Sequence, residues 1–159
     1  MDYLIVKWLH VLSSTVLFGT GIGSAFYLLL ATLGRDARAV ATVSRYVVVT
    51  DWVFTATAAV FQPLGGFWLM HLAGGIPWTT PWIAWSLALY AFAIACWLPV
   101  LWIQLRLRDL SAQAAGAGSA LPAAYWRLFR WWVALGCAAF PAFVAIFYLM
   151  VAKRLPFAG

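Results

Sequence analysis

Four long apolar blocks, at residues 3–33, 40–72, 81–107 and 122–152, constrain this chain more than any other feature of its sequence. Each exceeds the ~20 residues that an α-helix needs to cross ~30 Å of hydrocarbon. Lipid offers the backbone no water to bond, so a spanning segment is a helix or a strand of a closed barrel. Blocks of this length lack the alternation over ~10 residues that marks barrel strands. The expected fold is therefore all-α, a four-transmembrane-helix bundle forming one integral membrane domain over residues 1–159. Composition removes the alternatives. Only 9% of residues are charged and 66% are hydrophobic, against roughly 25% charged in soluble domains, and a chain this short cannot hide that much apolar surface in water. A soluble enzyme, a secreted disulfide scaffold, a disordered tail and a nucleic-acid reader are all excluded. The expected partner is the lipid bilayer.

The connections fit this plan. LGRDARAV, from Leu33 to Val40, is a short charged turn, and AGGIPWTTP, from Ala73 to Pro81, is uncharged and rich in helix breakers. SAQAAGAGSALP, from Ser111 to Pro122, reads as a flexible linker. Arg35, Arg38, Arg45, Arg106, Arg108, Arg127 and Arg130 accompany the first and third connections, whereas the opposite side holds Lys7, Lys153 and Arg154. This bias assigns the first and third loops to the cytoplasm and both termini to the outside. The first block is long and follows Asp2 rather than a basic segment, so it is expected to be a retained span and not a cleaved signal peptide. Cys96 and Cys137 fall deep in the third and fourth blocks without CxxC spacing and are expected to be packing thiols.

His10 is the leading candidate for chemistry. Lys7, Ser13 or Ser14, Leu17, Gly21 and Ser24 share its helical face, so a titratable ring stands over small and polar residues that let a flat ligand approach. The alternative is an interfacial histidine solvated by headgroups. Gly19 and Gly23 form a GxxxG pair, read as a helix-contact face that makes a homodimer reasonable. His71 is nine residues beyond Gln62, half a turn out of phase with the stripe Asp51, Thr55, Ala58, Gln62 and Gly65, and is expected to point away unless Pro63, Gly65 and Gly66 unwind the helix. His71 and Met150 are the candidates for a second metal ligand, since both come near the outer end.

Asp51 is the one acid inside an apolar block, and an intramembrane carboxylate is a functional candidate by default. It is read as part of an intramembrane polar network with Arg45, Gln62 and Gln104, serving as an ion pair or a proton relay. Ser86, Tyr90, Ala93, Trp97 and Gln104 recur on one face of the third block, where Tyr90 and Trp97 are either the wall of a cofactor pocket or packing aromatics. Trp8, Trp78 and Trp82 lie near span ends and read as an interfacial belt. Phosphate-binding loops, dinucleotide fingerprints, HExxH and GxSxG are absent.

VKWLHVLSSTVLFGTGIGSAFYLLLA at Val6 to Ala31, SRYVVVTDWVFTATAAVFQPLGGFWL, CWLPVLWIQLRLR and the terminal LMVAKRLPF resemble an uncharacterised family of four-helix bacterial integral membrane proteins, a domain of unknown function. The resemblance implies a multi-pass protein of the bacterial cytoplasmic (inner) membrane. Lys7 and His10 in WxKxLH-like spacing, with KRLPF from Lys153 to Phe157, are more distantly similar to HemJ-type protoporphyrinogen oxidases. That likeness implies heme binding at His10. It also sets Ser86, in SLAL, where those enzymes carry a functional lysine, which puts oxidase activity in doubt.

Three functional readings follow. The first is a heme b-binding redox protein, with His10 as axial ligand, Lys7, Ser14, Gly21, Tyr90 and Trp97 around the cofactor, and a quinone or another electron-transfer partner. The second is a HemJ-like tetrapyrrole oxidase. The third is a non-catalytic accessory subunit or small transporter.

Overall fold

The computed structural model describes residues 2–156, so Phe157 of the KRLPF tail lies outside the described residues. Five α-helices and one π-helical turn make four spans: α1 (Tyr3–Leu33), α2 (Ala37–Thr50) continuing through a π-turn (Asp51–Thr55) into α3 (Ala56–Leu72), α4 (Pro81–Gly116) and α5 (Ala123–Ala152). All four are long and apolar enough to cross a membrane, and no strand occurs among the described residues. Their surfaces suit lipid. Trp8, Leu64, Trp102 and Val151 are among many large apolar side chains left exposed, an arrangement that water would not tolerate.

The helix ends follow local chemistry more closely than hydropathy does. Asp2 caps α1 by accepting from the Leu4 amide at 3.3 Å, and Asp36 caps α2 by accepting from the Arg38 amide at 2.9 Å. The second span therefore begins at Ala37, three residues before the apolar block. Pro81 opens α4 at a position where a missing N–H costs nothing. The larger difference is at the other end of α4, which runs to Gly116 rather than to about residue 107. The segment 107–116 is amphipathic, with Leu107, Ser111 and Ala114 buried, so it remains helical after hydropathy falls. Only the stretch from Ala117, with Gly118 at φ +62°, forms the connection.

Packing is unequal along the bundle. At the end bearing the α1–α2 and α4–α5 connections, Leu28, Val40, Val47, Val100, Ile103, Leu107 and Leu121 surround Tyr125, Phe129 and Trp132. Those three rings stack at 6.1 and 5.6 Å, and Tyr125 Oη and Thr32 Oγ1 are hydrogen-bonded at 2.8 Å. Nearer the termini the apolar core shrinks to Leu17, Ala58 and Ala59 with partners that include Tyr90 and Phe143. Phe18 of α1 meets Phe140, Phe143 and Phe147 of α5. Gly19, Gly21 and Gly23 meet nothing within 4 Å of a would-be Cβ, so the GxxxG pair is not a helix contact within this chain. Cys96 is buried as expected, but Cys137 is exposed on the outside of α5.

Pro63, inside α3, cannot donate to the carbonyl four residues earlier, that of Ala59. The Tyr90 hydroxyl donates to this carbonyl and ties α4 to α3. Tyr90→Phe should cost about 1 kcal/mol in unfolding titrations in detergent. In a Pro63→Ala background, where an amide can again fill the Ala59 carbonyl, the same substitution should cost measurably less; equal costs would refute the coupling.

Candidate functional site

The best-built polar site lies on the seam between α1 and α3. Gln62, buried, spends both amide hydrogens on α1: Nε2 donates to the His10 carbonyl at 3.0 Å and to Ser13 Oγ at 3.1 Å. Of the two serines considered for this face, Ser13 makes the interhelical bond, and Ser14 turns back to the Val11 carbonyl at 2.7 Å. One turn beyond Gln62, Gly65 and Gly66 seat the imidazole. A Cβ on Gly65 would stand 3.1 Å from His10 Nδ1, and one on Gly66 would stand 3.5 Å from Cε1. The ring thus rests its Nδ1–Cε1 edge on glycine backbone, with Nδ1 buried and without a hydrogen-bond partner.

Other candidates for this site are dispersed. Lys7, one turn before His10, is exposed, with Nζ 5.9 Å from the centre of the Tyr3 ring. His71 is exposed on the side of α3 opposite Gln62, as its phase required, so Pro63 and the two glycines do not rephase the helix enough to bring it to His10. On α5 the buried residue of the last turn is Leu149, while Met150 is 40% exposed. Gly21 faces open space. Among the described residues no three His, Cys, Asp or Glu side chains gather in a metal-binding group.

The polar network predicted around Asp51 forms with a different membership. Asp51 is 3% exposed, and the π-turn it opens is a rare element that recurs at functional sites. Thr55 Oγ1 lies 3.0 Å from Asp51 Oδ1 and 3.3 Å from Thr20 Oγ1 of α1, both within hydrogen-bonding distance. Gln104 and Trp97 of α4 approach the same carboxyl group, although Trp97 Nε1 has no partner within hydrogen-bonding distance. Arg45 is not a member. Six residues before Asp51 it lies about 120° around the helix, and its guanidinium stacks outward 5.4 Å from the centre of the Tyr46 ring. Gln62 belongs to the His10 site instead, separated from Asp51 by Leu17, Ala58 and Ala59. Thr20 is the participant that sequence reasoning missed. Its i, i+7 spacing from Ser13 places it on nearly the same helical face as that serine, a signal available from spacing alone.

Gly65→Ala should destabilise the protein by about 1–3 kcal/mol, because the imidazole cannot yield without leaving its seat. Gly19→Ala, with nothing to meet, should be neutral or slightly stabilising. Parallel denaturation of both variants in detergent checks the contrast, and equal losses would contradict the seat.

Among comparisons with known proteins, no curated protein and no solved structure matches the chain. Residues 4–154, nearly the whole chain, match the family described as predicted integral membrane protein (DUF2269), and the protein belongs to that family.

Proposed function

We propose that this protein is a heme b-binding redox protein of the bacterial cytoplasmic membrane, with His10 as the axial ligand through Nε2. The observation that carries this reading is the seated imidazole, which is held by the Gln62 clamp and the Gly65–Gly66 backbone while neither ring nitrogen is spent within the site. A buried nitrogen without a partner costs about 1–3 kcal/mol. Ligation through Nε2 would place the ring proton on Nδ1 and leave it against the glycine seat, and the metal bond would offset that cost; neutral imidazole is a usual ligand of heme iron.

Bound heme supplies a one-electron couple. Lys7, exposed one turn away, would pair with a propionate carboxylate, and the apolar walls of α1 and α3 would limit water near the iron. His71 is exposed on the side of α3 opposite Gln62 and Met150 is exposed, so His10 would be the one ligand these candidates supply. With a single protein ligand, bound heme would supply oxidation of a small substrate or a quinone rather than simple electron transfer. The HemJ-like oxidase reading is weaker. Ser86 is 2% exposed with its hydroxyl donating to the Trp82 carbonyl at 2.7 Å, so it neither supplies an ammonium group nor has a free proton to offer. The open Gly19–Gly23 face is compatible with a homodimer.

Protein purified in detergent from heme-replete cells should show a Soret band that disappears in His10→Ala and persists in His71→Ala. A colourless wild type, or a pigment indifferent to His10, refutes the assignment. The cation bias further implies that both termini are outside. In intact cells a membrane-impermeant maleimide should label Thr79→Cys, while Ser119→Cys should react only after lysis; the reverse pattern inverts the topology.

A further inference from the structure

Proton counting along the second polar site yields an assignment that does not depend on heme. Three oxygen contacts lie in series. Asp51 Oδ1 is 3.0 Å from Thr55 Oγ1, Thr55 Oγ1 is 3.3 Å from Thr20 Oγ1, and Thr20 Oγ1 is 2.6 Å from the Val16 carbonyl oxygen. Each threonine has one hydroxyl hydrogen. The Val16 carbonyl can only accept, so Thr20 donates to it. If Asp51 is ionised it also can only accept, so Thr55 donates to it. The contact between the threonines then contains no hydrogen, and two oxygen lone pairs face each other inside the bundle.

A neutral acid resolves the count. Asp51 donates to Thr55, Thr55 donates to Thr20, and Thr20 donates to the Val16 carbonyl, with one hydrogen in every link. The surroundings agree. The elements packed on this turn bring Thr20 from α1 and Trp97 and Gln104 from α4, none of them charged. Arg45 of its own helix stacks on Tyr46, Arg106 is exposed, and Arg108 is paired with Asp109 at 2.8 Å. No described cation compensates a charge at a site 3% exposed, where an unpaired carboxylate is strongly penalised. Ser44, buried with its hydroxyl near that of Tyr125 but without a partner in hydrogen-bonding geometry, stands seven residues before Asp51 on the same helical face, toward the arginine-bearing end.

We propose that Asp51 is a proton-binding site within the membrane: it is the neutral carboxylic acid in the resting protein, hydrogen-bonded through Thr55 to Thr20, and it exchanges its proton with solvent. The step is the reversible loss of one proton from the Asp51 carboxyl oxygen to water, leaving the carboxylate, with no electron transferred.

The chain has only four acidic side chains, Asp2, Asp36, Asp51 and Asp109, which keeps the carbonyl region of an infrared spectrum simple. Purified full-length protein in nanodiscs at neutral pH should show a protonated-carboxyl C=O stretch, absent from Asp51→Asn, that moves to lower frequency after transfer to D2O. Thr55→Val should retain the band but shift it upward, because the acid loses its acceptor; this variant carries the test if Asp51→Asn does not fold. Carboxylate bands alone in the wild type would overturn the proposal, as would an acid band that survives Asp51→Asn or is unmoved by Thr55→Val. A band that never responds to D2O would overturn the exchange. A carboxylate whose bands respond to sodium would assign the site to a cation instead.

Discussion

Below the headgroups, every polar atom of this protein has only protein to bond to, and the bundle is arranged around that scarcity. The backbone meets the demand by staying helical, and each departure is matched by a particular side chain. Where Pro63 removes an amide from α3, the Tyr90 hydroxyl arrives from α4 to fill the vacant Ala59 carbonyl. Where α1 approaches α3, Gln62 spends both hydrogens of its amide on α1. These bonds also fix which helices are neighbours, because a polar group in hydrocarbon has few other places to go. Apolar packing alone selects neighbours weakly in lipid, where the solvent is as greasy as the side chains.

The two ends of the bundle answer this constraint differently. The arginine-bearing end is a filled core in which aromatic rings of α5 stack among aliphatic residues of α2 and α4. The end nearer the termini has little shared apolar core, and polar contacts and the Phe18 cluster hold it together. The second kind of region leaves helix surfaces that are not already committed to each other. His10 stands there, with the Nδ1–Cε1 edge of its ring against Gly65 and Gly66.

Fold class and span number were legible in the sequence, because the need for about twenty apolar residues per crossing leaves a block pattern that few other folds produce. Boundaries were less so. Hydropathy registers the bilayer and not the helix, and so it missed the amphipathic stretch of α4 from Leu107 to Gly116. The site was half legible. Phase alone separated His71 from Gln62 and marked His10 as the inward ring. It could not choose Ser13 over Ser14, which at i+3 and i+4 flank the direction of His10 on either side, and it placed Arg45 with Asp51 because proximity along the chain suggested an ion pair that the helix turns apart. Gly65 and Gly66 were noted only as possible breakers; their role as a seat for a ring on another helix is tertiary information.

The overhanging end of α4 has a mechanical consequence. A helix that leaves the bilayer with its hydrogen-bond ladder unbroken behaves as a stiff rod, and the thirteen residues from Gln104 to Gly116 extend about 18 Å at the helical rise. Gln104, at the inner end of that rod, approaches the carboxyl group of Asp51. One unbroken helix therefore joins its far tip at Gly116 to a residue beside the most deeply enclosed acid among the described residues.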